Sequence, residues 1–200
     1  MEKHEINTNA TLFCDTAREY IHRKGINELL EWLATCTDFF YAPCSTRYHL
    51  SEEGGLVQHS LNVFNHFVNI TKEEYSDLCS NETATIITLF HDICKVNTYK
   101  PCKKSRKTGR LLPNGKPEWE DYTGYDFDEE FPYGHGEKSV YLLQKFITLT
   151  DEEAMAIRWH MGFSDSSFKG GMQTVSNAMS KYPIIAFLHS ADLISTALGG

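Results

Sequence analysis

The run Ile86-Ile87-Thr88-Leu89-Phe90-His91-Asp92-Ile93 sets an imidazole and a carboxylate side by side in a segment apolar enough to be buried. Taking a carboxylate out of water costs several kcal/mol unless a partner or a metal ion compensates. Four groups elsewhere in the chain could do so: His59, His135, His160 and Asp192, each in or beside an apolar helical pattern. An isolated pair of this kind would do no more than tie two helices together by a hydrogen bond. The recurrence of the pattern points instead to a shared centre. Four imidazoles and two carboxylates suit one or two octahedral ions better than a closed tetrahedral zinc site. Asp92 has two oxygens and could bridge two ions, and Lys95, one turn after His91, could reach phosphate oxygens that gain charge as a bond breaks.

These groups have to be positioned, and helical periodicity dominates the chain. The expected helices cover about 11–24, 26–40, 55 onward through His59, Val63 and Phe67, 82–96, 136 onward, 151–160 and 182–198. The sequence Thr150-Asp151-Glu152-Glu153 reads as a capping box, and Gly162 as a left-handed helix stop. A loop is expected over 164–180. The fold class expected is all-α, a helical bundle forming one domain over residues 1–200. One insertion, at about 97–134, breaks the pattern. It reads as basic, from Lys100, Lys103, Lys104, Arg106, Lys107 and Arg110, and aromatic, with Pro113-Asn114-Gly115-Lys116-Pro117 as a turn between two short strands.

Composition excludes several classes. A net charge of −8 argues against bulk electrostatic attachment to nucleic acid. No run reaches the ~18 apolar residues of a membrane span, and Met1-Glu2-Lys3-His4-Glu5 is not the start of a signal peptide, so no membrane partner and a cytoplasmic location are expected. Cys14, Cys36, Cys44, Cys79, Cys94 and Cys102 form no Cys-x-x-Cys motif and read as free thiols.

The stretches Gly54-Gly55-Leu56-Val57-Gln58-His59-Ser60, Leu89-Phe90-His91-Asp92-Ile93-Cys94-Lys95 and Ala191-Asp192 together resemble the HD-domain metal-dependent phosphohydrolases, in the order His, His-Asp, Asp over about two thirds of the chain. The opening Gly-Gly-Leu-x-x-His looks closest to the phosphodiesterase and exoribonuclease branches. The resemblance implies His59, His91, Asp92 and Asp192 as ligands of a first metal. It also implies His135 and His160 as ligands of a second, with Asp92 bridging and a bridging hydroxide as nucleophile. Two divalent ions are then the expected cofactors, drawn from Mn, Fe, Co, Ni or Mg.

Asp92 and Lys95 are the catalytic candidates. Lys95, Lys103, Lys104, Arg158 and Trp119 are the substrate-binding candidates, since cations attract phosphate and an indole stacks on a base. The expected activity is hydrolysis of a nucleotide, cyclic nucleotide or short oligonucleotide phosphoester, by a protein able to form a homo-oligomer. A non-catalytic nucleotide or metal sensor on the same fold is the alternative.

Overall fold

The computed structural model describes residues 1–165 and 173–198. The chain opens with α1 (Lys3–Tyr20) and α2 (Ile26–Cys36), followed by a long loop into α3 (Gly55–Thr71) and then α4 (Asn81–Phe90). A single 3-10 turn (Ile93–Lys95) leads into an antiparallel hairpin, β1 (Tyr99–Leu111) and β2 (Pro117–Phe127). Next come α5 (His135–Leu143), α6 (Asp151–Trp159), a 3-10 turn (Gly162–Ser164), α7 (Thr174–Lys181) and α8 (Ile184–Leu198).

The expectation of an all-α class is therefore corrected. The chain is 54% helical and carries a two-stranded antiparallel sheet, so it is a mixed α and β protein. The strands are long rather than short. Asn114 and Gly115 close them, with Gly115 at φ 76° and Leu112 bonded across to Lys116. The region is also not basic as a whole. Lys100, Lys103, Lys104, Arg106, Lys107, Arg110 and Lys116 are matched by Glu118, Glu120, Asp121, Asp126, Asp128, Glu129 and Glu130. Register turns that balance into cross-strand pairs, Arg106 with Glu120 at 2.6 Å and Lys104 with Asp126 at 3.1 Å.

Helix bounds shift for local reasons. α1 starts at Lys3 because Glu2 and Glu5 cap it reciprocally, and α2 stops at Cys36 because Thr37 turns extended. The loop expected over 164–180 contains α7, while 166–172 and Gly199-Gly200 lie outside the described residues. The Thr150–Glu153 capping box forms, and Gly162 takes φ 54°.

α4 is the centre of the packing, with every residue from Thr83 to Phe90 buried. It lies against α1, α3 and α6, while α3 also packs along α8. Phe13 of α1 meets Phe39, Phe40 and Phe90 at ring centroids of 5.1, 5.7 and 5.3 Å, each such pair contributing about 0.5–1.5 kcal/mol beyond its buried area. This aromatic wall backs the end of α4, where His91 emerges. Among the described residues, no helix is long and apolar enough to cross a membrane.

Candidate metal centre

α4 ends one residue before the chemistry starts. His91 occupies its C-cap and donates from Nδ1 to the Thr88 carbonyl at 2.8 Å, satisfying one of the carbonyls a helix end leaves without a partner. His160 repeats the device at the end of α6, donating from Nδ1 to Ile157 O at 2.6 Å. In both rings the proton is thereby held on Nδ1 and the Nε2 lone pair faces inward. The expected continuous helix over 82–96 is broken here because Asp92 leaves helical geometry, at φ −102° and ψ 16°.

The break turns the Asp92 carboxylate into the gap between the helices. Its Oδ2 lies 3.5 Å from His59 Nε2, 3.5 Å from His91 Nε2 and 2.7 Å from Lys95 Nζ. Its Oδ1 lies 2.9 Å from His135 Nε2 and 3.5 Å from His160 Nε2. From α8, Asp192 Oδ1 comes within 3.1 Å of His59 Nε2 and 4.0 Å of His91 Nε2. The six groups are thus gathered around the two faces of one carboxylate, Asp92.

Donor chemistry and spacing fit divalent ions. Adjacent ligands of an octahedral ion with bonds near 2.1 Å stand about 3.0 Å apart and opposite ones about 4.2 Å, and the separations of 2.9–4.0 Å between these atoms are close to those values. Asp92 Oδ1 and His160 Nε2 are buried without a hydrogen-bond partner despite their polar neighbours. Buried polar atoms left this way usually answer to something other than a hydrogen bond. The described residues contain buried His, Asp and Cys clusters able to hold metal ions.

The electrostatics agree. Burial alone would raise the Asp92 carboxyl, but Lys95, His91 and the neighbouring rings of His135 and His160 hold it well below the usual carboxylate range. Burial, opposed by Asp92 and reinforced by His160, takes His91 down to about 4, so its ring is neutral at pH 7. His59 goes the other way. Burial would lower it, but Cys44 and the bond to Asp192 raise it to about 10. A cation loaded between these groups must displace that proton.

Some contacting residues carry no signal in sequence. Ser195 Oγ lies 3.2 Å from His59 Nδ1, and Cys94 Sγ 3.2 Å from His135 Nδ1. Cys44 and His49 arrive from the loop before α3, with Cys44 Sγ 3.4 Å from Lys95 Nζ. That loop approaches because Gly54 takes φ 80° and because a Cβ on Gly55 would collide with the Leu50 carbonyl. Burial would raise the Cys44 thiol, yet Lys95 and His59 bring it down to about 6. His189 of α8 donates from Nδ1 to the His160 carbonyl at 2.7 Å.

The other substrate candidates are engaged by partners outside the six groups. Arg158 is bound by Glu137 and by Asp165, the latter at 3.1 Å, with its guanidinium 3.8 Å over Trp159. Lys103 pairs in register with Thr123, and Lys104 donates to Tyr125 O at 2.5 Å. Trp119 faces Lys107, roughly 26 Å along β1 from Tyr99 at ~3.3 Å per residue. The structure does not gather Trp119, Lys103 or Lys104 with the six. Solvent reaches the centre at the side chains of His135, Asp192 and Lys95, which keep 33%, 17% and 17% of their surface.

Comparison of the chain with protein-family models, with curated proteins and with solved structures finds no match. The site itself therefore carries the functional argument.

Proposed function

We propose that this chain is a metal-dependent phosphohydrolase acting on a nucleotide, cyclic nucleotide or short oligonucleotide phosphoester. One observation carries the reading: the two oxygens of Asp92 face two separate sets of imidazoles, one of them with an orphaned oxygen and an orphaned ring nitrogen. His59, His91, Asp92 Oδ2 and Asp192 would hold one ion, and Asp92 Oδ1, His135 and His160 the other. This order of ligands along the chain resembles that of the HD-domain phosphohydrolases. Two such ions supply Lewis acidity and a nucleophile at neutral pH for an in-line displacement at phosphorus.

The residues of the chain supply the remainder. Thr88 O and Ile157 O hold the His91 and His160 rings in one tautomer and orientation. Lys95, partly open to solvent, places a cation beside Asp92 where phosphate oxygens would gather charge. Support for an aromatic ligand comes from Phe131, Tyr133 and Tyr141, exposed rings packed with centroids 5.4 Å apart that flank His135 in the chain, rather than from Trp119.

The test is hydrolysis of a chromogenic phosphodiester and a chromogenic phosphomonoester with Mn²⁺, Mg²⁺, Ni²⁺ or Co²⁺, comparing the wild type with Asp92→Ala. Turnover that vanishes in the variant supports the reading. Metal binding without turnover on either ester favours the sensor, for which the burial of His59, His91, Asp92 and His160 is the supporting observation.

A further inference from the structure

Outside the six groups, a second cluster of metal-ligating atoms closes on the far face of His59. Cys44 is fully buried and puts its Sγ 3.5 Å from His49 Nε2. His49 Nε2 in turn lies 3.3 Å from His59 Nδ1, the ring nitrogen turned away from Asp92 and Asp192. The three ligand atoms lie within 4.8 Å of one another.

Those spacings are informative. With bonds near 2.3 Å to sulfur and 2.0–2.1 Å to nitrogen, tetrahedral zinc sets a sulfur and a nitrogen ligand about 3.5 Å apart and two nitrogens about 3.3 Å apart. Both separations are met without moving a side chain. The loop is built to hold the geometry. The Cys44 amide donates to Leu50 O at 2.9 Å, and Ser45 Oγ bonds to the His49 carbonyl at 3.2 Å and accepts from the Tyr48 amide at 2.9 Å. The other ring nitrogen of His49 is buried and finds no hydrogen-bond partner among the described residues, so the ring's polar contacts are on the cluster side.

We propose that Cys44, His49 and His59 Nδ1 form a separate site for a thiophilic divalent cation of the Zn²⁺ class, which shares His59 with the carboxylate centre. The Cys44 thiol proton leaves to solvent on binding, and with both sites filled the His59 ring bridges them as an imidazolate, both of its ring protons released. A thiolate distinguishes this site from its neighbour, because soft sulfur selects zinc and its analogues whereas the His and Asp groups also accept Mn²⁺ or Mg²⁺. Three protein donors leave one coordination position open, as in exchangeable rather than closed structural sites. Lys95 Nζ lies 3.4 Å from Cys44 Sγ and 2.7 Å from Asp92 Oδ2. A cation on the sulfur would drive that ammonium toward Asp92, so the two sites are coupled through Lys95 as well as through His59.

The experiment is titration of the metal-free full-length protein with Co²⁺ alone, followed by absorption spectroscopy. The wild type is expected to develop a thiolate-to-cobalt charge-transfer band in the near ultraviolet and to bind one more Co²⁺ than Cys44→Ser, which lacks the band. Cys94→Ser, which removes the thiol beside His135, keeps it. In His49→Ala, a half-buried loop position that serves as the test if Cys44→Ser does not fold, the band needs at least about tenfold more Co²⁺, in line with the loss of a supporting ligand. Zn²⁺ added afterwards bleaches the wild-type band. Absence of the band in the wild type, its persistence in Cys44→Ser, or its loss in Cys94→Ser overturns the proposal. Because absorbance is the readout, a protein that hydrolyses no ester but shows the band would sink the phosphohydrolase reading and leave this site standing.

Discussion

The carboxylate centre and the hairpin hold their ionisable groups under opposite physical conditions. At the centre, His91, His160 and Asp92 are buried and every proton is assigned by a neighbour. On the hairpin, Arg106 and Glu120 keep 64% and 47% of their side-chain surface, so water screens what register has paired. Charge in a sequence therefore says little until burial is known. The basic run of β1 draws attention in the sequence, yet it is spent on β2, while single histidines scattered over a hundred residues converge.

The largest effect that would break this contrast is at Asp92. Asp92→Ala should lower turnover by more than about 10³-fold, a loss of about 4 kcal/mol in the barrier, and reduce the bound Mn²⁺ measured by calorimetry. Retained turnover would mean that the convergence has no catalytic meaning.

A buried ion pair far from the centre sharpens the comparison. Arg23 donates to both oxygens of Glu153, at 2.5 and 2.7 Å, and Glu153 is fully buried. Removing one partner should cost about 3 kcal/mol, so Arg23→Ala lowers the melting temperature clearly in a thermal scan. The pH dependence has a definite sign. Burial would raise the Glu153 carboxyl, but Arg23, the Thr150 amide and Thr83 hold it below its ordinary value. That stability is present above the unfolded-state carboxylate pKa, about 4.3, and is lost as pH falls through the lower folded value. Between pH 6 and 3, melting curves of the wild type should fall more steeply than those of Glu153→Gln.

Next in size is the support behind the ligands. Ser195→Ala removes the hydroxyl beside His59 Nδ1 and should weaken Mn²⁺ binding by about 10–100-fold with little change in fold. Unchanged affinity would show that the His59 ring is held by its packing alone.

The smallest effect belongs to the hairpin. Arg106→Ala should change stability by less than about 0.5 kcal/mol in urea melts, the usual scale for exposed pairs. Trp119→Ala should leave hydrolysis of a small chromogenic ester within about twofold, since an indole this far along the arm contributes no barrier lowering at the centre. A large loss in turnover would place the arm over the site.

Residue types and spacing in the sequence determined the six candidate groups, the hairpin turn at Asn114-Gly115 and the Thr150 cap. Each rests on local physics: periodicity, capping and left-handed glycine. The all-α class failed because the two strands expected to be short on either side of Asn114-Gly115 run over 13 and 11 residues, and the basic reading failed because the acidic groups of β2 and the segment after it balance the cations of β1. Tertiary structure alone decided that α4 stops at Phe90, which of each histidine's nitrogens faces inward, and that Asp92 turns its two oxygens to different rings. It also decided that Ser195 and Cys94 border the centre, and that Cys44 and His49 stand on the far side of His59. A serine or a cysteine becomes a partner only through where the packed helices and the loop at Gly54-Gly55 put it, and no spacing along the chain records that distance.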